Sequence, residues 1–375
     1  MPRRLIAIDA TSVPARPAGA GRYTLSLVRA LARVDRDHDY VVFARSHSLD
    51  ELNDLGPAFT VVDIGDLSRG RRYVWEQTGL PLALRRRRAA LLHSPHHTLP
   101  LLSPCPRVVT VHDVTFFLLP ERYPRGRRLF FQAATARSVR GADAVIVPSH
   151  SAAADLQRVL HPPPWRVHVT HEGVDTAFRP VDPAEAAAVA ERYGLPPGYV
   201  LSLGTREPGK NRSTLLRALH LLIEAGRDVH LAVVGQSGWG EGDADAAAAL
   251  GLARRVHFTG YVDQADLPAL YAGASGFVFP SLHEGFGLPV LEAMACGTPV
   301  VTSNTSSLPE VAGDAALLVE PTDAAAIAEA VGRVLDAPDL ARQLTGAGRE
   351  RASGFTWDAC AAATLQVYRH VLGEA

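Results

Sequence analysis

Between Gly276 and Val301 the sequence allows only a few local structures. An apolar run, Gly276-Phe277-Val278-Phe279, is stopped by Pro280 and followed by a loop that carries Glu284 beside Gly285 and Gly287. An apolar segment then opens with Leu288-Pro289 and closes at Gly297, and a second apolar run begins at Pro299. Proline in the first turn loses no helical hydrogen bond, and glycine past the last turn accepts the left-handed backbone that ends a helix. These residues therefore mark a helix between two strands. Strand, loop, helix and strand form the repeating unit of a parallel sheet covered by helices. Free N–H groups at the helix start face a crevice that suits anionic or hydroxyl-rich ligands. Glu284 lies in the loop and Glu292 about two turns later, so one can face the mouth of the crevice and the other its flank.

The same alternation continues along the chain and predicts α/β architecture with parallel sheets. Apolar runs ending at Asp9 and spanning 40–43, 60–63, 91–93, 108–111, 145–147 and 167–170 read as strands of a first sheet. Runs at 199–203, 230–235, 256–260, 276–279, from Pro299, and at 316–319 read as a second. A chain of 375 residues fits two domains of ordinary size. The expected division is 1–180, 181–355, and a last helix over 356–375 that crosses back onto the first domain. The Pro- and Ala-rich stretch 179–198 reads as the linker, with a short helix inside it. A glycine-rich loop is expected at Gly238-Trp239-Gly240-Glu241.

Hydrophobic content of 47% with 21% charged residues is that of a soluble globular protein. No apolar run is long enough for a transmembrane helix, and the apolar part of the N-terminus is too short for a signal peptide. Cys105, Cys296 and Cys360 are too scattered for a disulfide framework or a zinc site, so a cytoplasmic location is expected. Charge is divided unevenly: residues 1–180 carry 25 Arg against 16 Asp plus Glu, leaving 13 cationic against 23 acidic residues in the remainder. The Arg runs at 69–72, 85–88 and 125–128 suit either a solvated face or peripheral contact with an inner membrane surface. Nucleic acid is not an expected partner.

The chain uses arginine almost everywhere and contains one lysine, Lys210, within Gly204-Thr205-Arg206-Glu207-Pro208-Gly209-Lys210-Asn211. A compact ammonium and a guanidinium four residues apart, just after a strand, suit a diphosphate. Each contributes about 4 kcal/mol beside a phosphate oxygen at an effective dielectric near 20, before desolvation. In the first half, Gly19 and Gly21 open a helix after the first strand. Position 24 is Thr, so the third glycine of a dinucleotide fingerprint is missing, and the loop reads as a plain turn or as one admitting acceptor or phosphate. His93, His96, His97 and the pair His112-Asp113 fall at the carboxyl ends of strands, where open parallel sheets bind ligands.

Two glutamates with seven residues between them, enclosing Gly-Phe-Gly-Leu-Pro, resemble the signature of retaining glycosyltransferases of family 4, which have the GT-B fold. The resemblance implies two Rossmann-like, doubly wound α/β domains facing across a cleft. It implies that Glu284 contacts the donor sugar's hydroxyls, that Glu292 holds the ribose, and that Arg206 and Lys210 clamp the diphosphate. Gly285, Phe286, Gly287 and Leu288, with Val262, fall on the donor side, and amides near 306–308 add donors. His112 approaches donor sugar and acceptor, with Asp113 orienting it or steering the acceptor; a structural histidine at a strand end is the plainer reading. The likeness of 110–115 and 204–211 to bacterial mannosyltransferases of polysaccharide assembly makes GDP-mannose the first donor, with UDP-glucose and UDP-N-acetylglucosamine next. The acceptor would be a saccharide or lipid-linked saccharide.

No metal or other cofactor is expected, because fixed cations would neutralise the leaving diphosphate. Asp35-Arg36-Asp37, Asp37-His38-Asp39 and Asp243-Ala244-Asp245 precede strands or helices and read as turns and caps, not as metal-binding pairs. A zinc site among His93, His96, His97 and His112 lacks supporting carboxylate or thiolate spacing. Two other classes compete: an NAD-dependent dehydrogenase, which needs the absent third glycine, and a non-catalytic nucleotide-sugar-binding subunit.

Overall fold

Short aliphatic runs buried on both faces build two separate parallel sheets in the computed structural model, which describes residues 3–205, 207–235 and 242–374. The first sheet contains β1 (Leu5–Asp9), β2 (Asp39–Ala44), β3 (Phe59–Asp63), β4 (Leu91–Ser94), β5 (Arg107–Thr110), β6 (Ala144–Val147) and β7 (Val167–Val169). Its order is β3-β2-β1-β4-β5-β6-β7. The second contains β8 (Val200–Leu203), β9 (Leu231–Val234), β10 (Val256–Gly260), β11 (Gly276–Phe279), β12 (Val300–Ser303) and β13 (Leu317–Val319). Its order is β10-β9-β8-β11-β12-β13. All pairings are parallel, with Ile6 opposite Tyr40 and Leu91, and Phe277 opposite Leu201 and Val300.

Both sheets thus carry the doubly wound order in which the chain reverses direction beside the first strand, between β1 and β4 and between β8 and β11. Such a reversal leaves a crevice at the carboxyl ends of the two central strands. The strands of both sheets lie within two residues of their predicted positions. Continuous apolar runs mark strands covered on both sides, and Ile6, Ala7, Ile8, Val145 and Ile146 are fully buried.

The chain divides into one unit of Met1–Gly173 with Thr356–Ala375 and another of Val174–Phe355. The division falls at Gly173, not at 180. The stretch expected to be a linker contains the helix Pro183–Arg192, started by Asp182, whose carboxylate accepts the Ala184 N–H at 2.9 Å. Its Val189 and Ala190 pack into the apolar core of the second unit. Alanine-rich sequence favours a helix but hides its buried face, because alanine gives little apolar–polar contrast around the helix.

The helix Trp357–Leu372 belongs to the first unit, where it packs against the helix Ala20–Val34. Arg4 and His38 tie its end down through Glu374, at 2.9 and 3.1 Å. At its start the chain passes so close to Gly173 that a Cβ there would lie 2.1 Å from Trp357 N and 2.3 Å from the Thr356 carbonyl carbon. Asp35 accepts from Asp37 N–H at 2.9 Å and Tyr40 O–H at 2.6 Å, and pairs with the His38 ring at 2.9 Å, which makes it a turn anchor. Asp243 stands in the first turn of a helix and bonds Arg212 at 2.8 Å. The loop expected at 238–241 lies outside the described residues.

Candidate active site

β8 ends at Leu203, and Gly204 follows with φ +149, a backbone conformation that suits glycine. A Cβ on Gly204 would stand 3.1–3.2 Å from the methylene carbons of Lys210, so the bare backbone is a shelf for the lysine stem. The segment Pro208–Lys210 makes one tight turn, and Asn211 takes the left-handed conformation at φ +55 before the helix Arg212–Glu224. Asn211 is buried and donates from Nδ2 to the carbonyls of Pro280 (3.1 Å) and Pro321 (2.5 Å). Leu282 N–H donates to Gly209 O at 2.9 Å, stitching the loop after β8 to the loop after β11.

Those bonds bring the lone lysine to the signature glutamate. Lys210 Nζ donates to Glu284 Oε1 at 2.6 Å and stands 5.0 Å from the centre of the Phe279 ring. Ser281 Oγ donates to the same carboxylate oxygen at 2.5 Å. The pair lies over the reversal between β8 and β11, with side chains 21% and 18% exposed, so it is held yet reachable. Ser306 Oγ accepts the Glu284 N–H at 3.0 Å, and Ser307 Oγ sits between the carbonyls of Glu284 (3.0 Å) and Phe286 (2.5 Å). The β11 loop is thereby fixed by the start of the helix Leu308–Ala312.

Gly287 precedes the helix Leu288–Cys296, which carries Pro289 in its first turn and ends at Gly297. Glu292, on that helix, accepts from Tyr271 O–H at 2.9 Å. Phe286 and Val262 are buried in the apolar core of this unit. Arg206 lies outside the described residues.

The remaining candidates gather in the first unit. Gly19 (φ +48) caps the helix Ala20–Val34, and Gly21 lies in its first turn, where a Cβ would come 2.9 Å from Pro14. Tyr23, two residues on, sets its ring edge-on to His112 with centroids 4.7 Å apart. His112 Nε2 lies 3.0 Å from the Pro95 carbonyl and Nδ1 lies 3.4 Å from Glu172 Oε1. Burial opposes charge on this ring, but Glu172, the Pro95 carbonyl and Asp113 outweigh it and raise its pKa. Asp113 is drawn into a local turn: its Oδ1 accepts the Thr115 N–H at 2.8 Å and the Thr115 hydroxyl.

His93 and His96 turn to separate partners, while the His97 ring packs against His112 with centroids 5.9 Å apart. His93 contacts Tyr368 O–H (2.6 Å) and Thr110 Oγ1 (2.8 Å), while His96 Nε2 accepts from Arg72 at 3.1 Å. Arg72 also donates to Glu76 at 2.9 Å, beside the fully buried Asp9 at the end of β1. Asp9, Glu76 and His96 have ligand atoms within 4.8 Å of one another, but a guanidinium already stands among them.

Sequence reasoning missed Ser281, Asn211 and Glu172. Only Ser281, three residues before Glu284, carried a local signal. Replacing Asn211 by alanine should cost about 2–3 kcal/mol, from two carbonyls left unpaired and a left-handed alanine. Glycine at the same position should recover about 1 kcal/mol by relieving the backbone alone. Urea unfolding of the two variants checks the split.

The family model for "Glycosyl transferases group 1" matches residues 190–351, and that for "Glycosyltransferase Family 4" matches residues 17–178. An O-antigen chain mannosyltransferase B of Escherichia coli is 32% identical over 372 residues, covering 94% of this chain and 96% of that protein. The chain belongs to glycosyltransferase family 4. A serotype-specific mannosyltransferase WbdA, also of Escherichia coli, is 33% identical over 278 residues, covering 72% of this chain and 34% of that longer protein. Among solved structures, Anabaena Alr3699/HepE in complex with UDP and glucose superposes with a TM-score of 0.77 at 19% identity, covering 98% of this chain and 99% of that one. That likeness establishes the GT-B fold for this family 4 enzyme. The paired Lys210 and Glu284 therefore sit in the unit matched by the group 1 model, and His112 in the unit matched by the family 4 model.

Proposed function

We propose that this glycosyltransferase moves mannose from GDP-mannose to a saccharide or lipid-linked saccharide, with retention of configuration and without a metal ion. The observation that carries the reading is the contact of Lys210 Nζ with Glu284 at the reversal of the second sheet. One atom group there can meet a diphosphate oxygen while its neighbour accepts sugar hydroxyls. Without donor the two neutralise each other; with donor, the phosphate takes over the ammonium and the carboxylate turns to the sugar. Glu292 is assigned to the ribose, and Arg206 to the second arm of the clamp.

Fixed cations act where charge builds on the leaving diphosphate and need no reorganisation at that moment. Neither ring nitrogen of His112 is vacant, and Asp113 is engaged with Thr115. That supports a front-face displacement in which the departing phosphate takes the acceptor proton. Mannose ranks first because the two curated relatives compared above are named mannosyltransferases. A panel of GDP-mannose, UDP-glucose and UDP-N-acetylglucosamine, assayed with and without EDTA, tests the reading. Turnover of GDP-mannose unchanged by EDTA is expected; dependence on a divalent ion contradicts the clamp.

Contact with an anionic membrane is part of the same proposal. Leu129, Phe130 and Val74 are 59%, 41% and 64% exposed, and Arg125, Arg127 and Arg128 share a helix with the first two. Tyr73 reaches that helix through the Phe130 ring, with centroids 4.7 Å apart. Among the described residues no helix is long and apolar enough to cross a membrane. Flotation with anionic but not neutral vesicles is expected, and loss of flotation on replacing Leu129 and Phe130 by serine checks the surface.

A further inference from the structure

Both ring nitrogens of His112 face oxygen atoms that can only accept. Nε2 lies 3.0 Å from the Pro95 carbonyl, and Nδ1 lies 3.4 Å from a Glu172 carboxylate oxygen. A neutral imidazole has one N–H, so in either tautomer one nitrogen lone pair would point at an oxygen lone pair. With Glu172 ionised, only the ring carrying a proton on each nitrogen satisfies both neighbours. We infer that Glu172 is a positioning residue that holds His112 as a doubly donating imidazolium, and that His112 enters glycosyl transfer as a fixed cation and donor, not as a base.

The surroundings agree. Side-chain exposure is 12% for His112 and 7% for Glu172, so the two charges are shielded from water and compensate each other. The groups facing the ring are Glu172, the adjoining Asp113, the His97 ring at 5.9 Å and the Tyr23 ring, with His93 and His96 on the neighbouring strand end. Burial, together with the charge on His112, pushes His93 down to about 3. His97 falls to about 4, chiefly through burial, and His96 falls well below its ordinary value. Of these four histidines, His112 alone is shifted upward, towards the charged form. Next to Glu172, Gly173 lacks a side chain, and the start of the helix Trp357–Leu372 lies directly against its backbone.

This inference rests on the functional reading only for where His112 acts; its charge is measured without substrate. The full chain, labelled with ¹³C and ¹⁵N in histidine, is titrated by NMR, the His112 signals being assigned by their loss in His112→Asn. Expected are two protonated ring nitrogens at pH 7 and a midpoint above those of His93, His96 and His97. A neutral tautomer at pH 7 in the wild-type chain overturns the inference, whether or not any variant folds. Glu172→Gln keeps an acceptor oxygen but removes the charge, and should lower the His112 midpoint by a unit or more; an unmoved midpoint denies Glu172 its role. In turnover, kcat should fall as pH rises through the His112 midpoint, and Glu172→Gln should carry that limb to lower pH. A rate that grows as His112 loses its proton would show a base and overturn the assignment.

Discussion

Lys210→Ala is expected to lower kcat by about two to three orders of magnitude, the usual cost of removing one preorganised donor from a site of developing negative charge. The stability change should be small. The Lys210–Glu284 pair is about one-fifth exposed on each side, and Ser281 keeps its bond to the carboxylate when the ammonium is gone. A loss of about 1–2 kcal/mol is expected, between the values for surface and buried pairs. Lys210→Arg is not a safe substitute. The Lys210 stem lies against bare Gly204 backbone through Cγ, Cδ and Cε and ends in a compact head, and a planar guanidinium would overrun Ser281 and the Phe279 face. Kinetics and urea unfolding on the same preparations decide the matter. An alanine variant that loses stability and rate in equal proportion would make Lys210 a structural residue.

Gly173→Ala should have the largest effect on folding. Its new Cβ would meet backbone at 2.1 and 2.3 Å, and backbone cannot swing aside as a side chain can. The helix Trp357–Leu372 would have to lift by more than an ångström. It would then lose the Trp357 contact with the Tyr23 ring, whose centroids lie 5.9 Å apart. Overpacking of this kind costs about 3 kcal/mol or more, at the upper end of the usual range. The unfolding transition of the first unit should move accordingly. A variant within about 0.5 kcal/mol of the wild type would mean that the helix start relaxes without cost, contrary to the packing described here.

The strands and the strand–loop–helix unit after β11 were legible because their signals are local. Parallel strands covered on both sides must be apolar at consecutive positions, and Pro289 and Gly297 frame the intervening helix. Lys210 stood out by its uniqueness, and it meets Glu284 across 74 positions of sequence. What could not be read depends on register between distant segments. Asn211 finds its partners 69 and 110 positions away, and the pairing of Glu172 with His112 follows from where two loops end. The stretch 179–198 was read as a linker for a related reason: the helix Pro183–Arg192 shows its buried face only once the second core is assembled. His112 was legible as a strand-end histidine, but the oxygens that face its two nitrogens, from Pro95 and Glu172, were not.

Because the chain holds one lysine, a single chemical reaction reports on the central claim. An amine-acylating reagent is applied with GDP or with guanosine at about ten times their dissociation constants, and peptide mass mapping separates Lys210 from the terminal amine. If the ammonium faces the diphosphate, GDP should slow acylation of Lys210 about tenfold while guanosine leaves it unchanged. Equal labelling with saturating GDP and without it would place the diphosphate elsewhere and contradict the account.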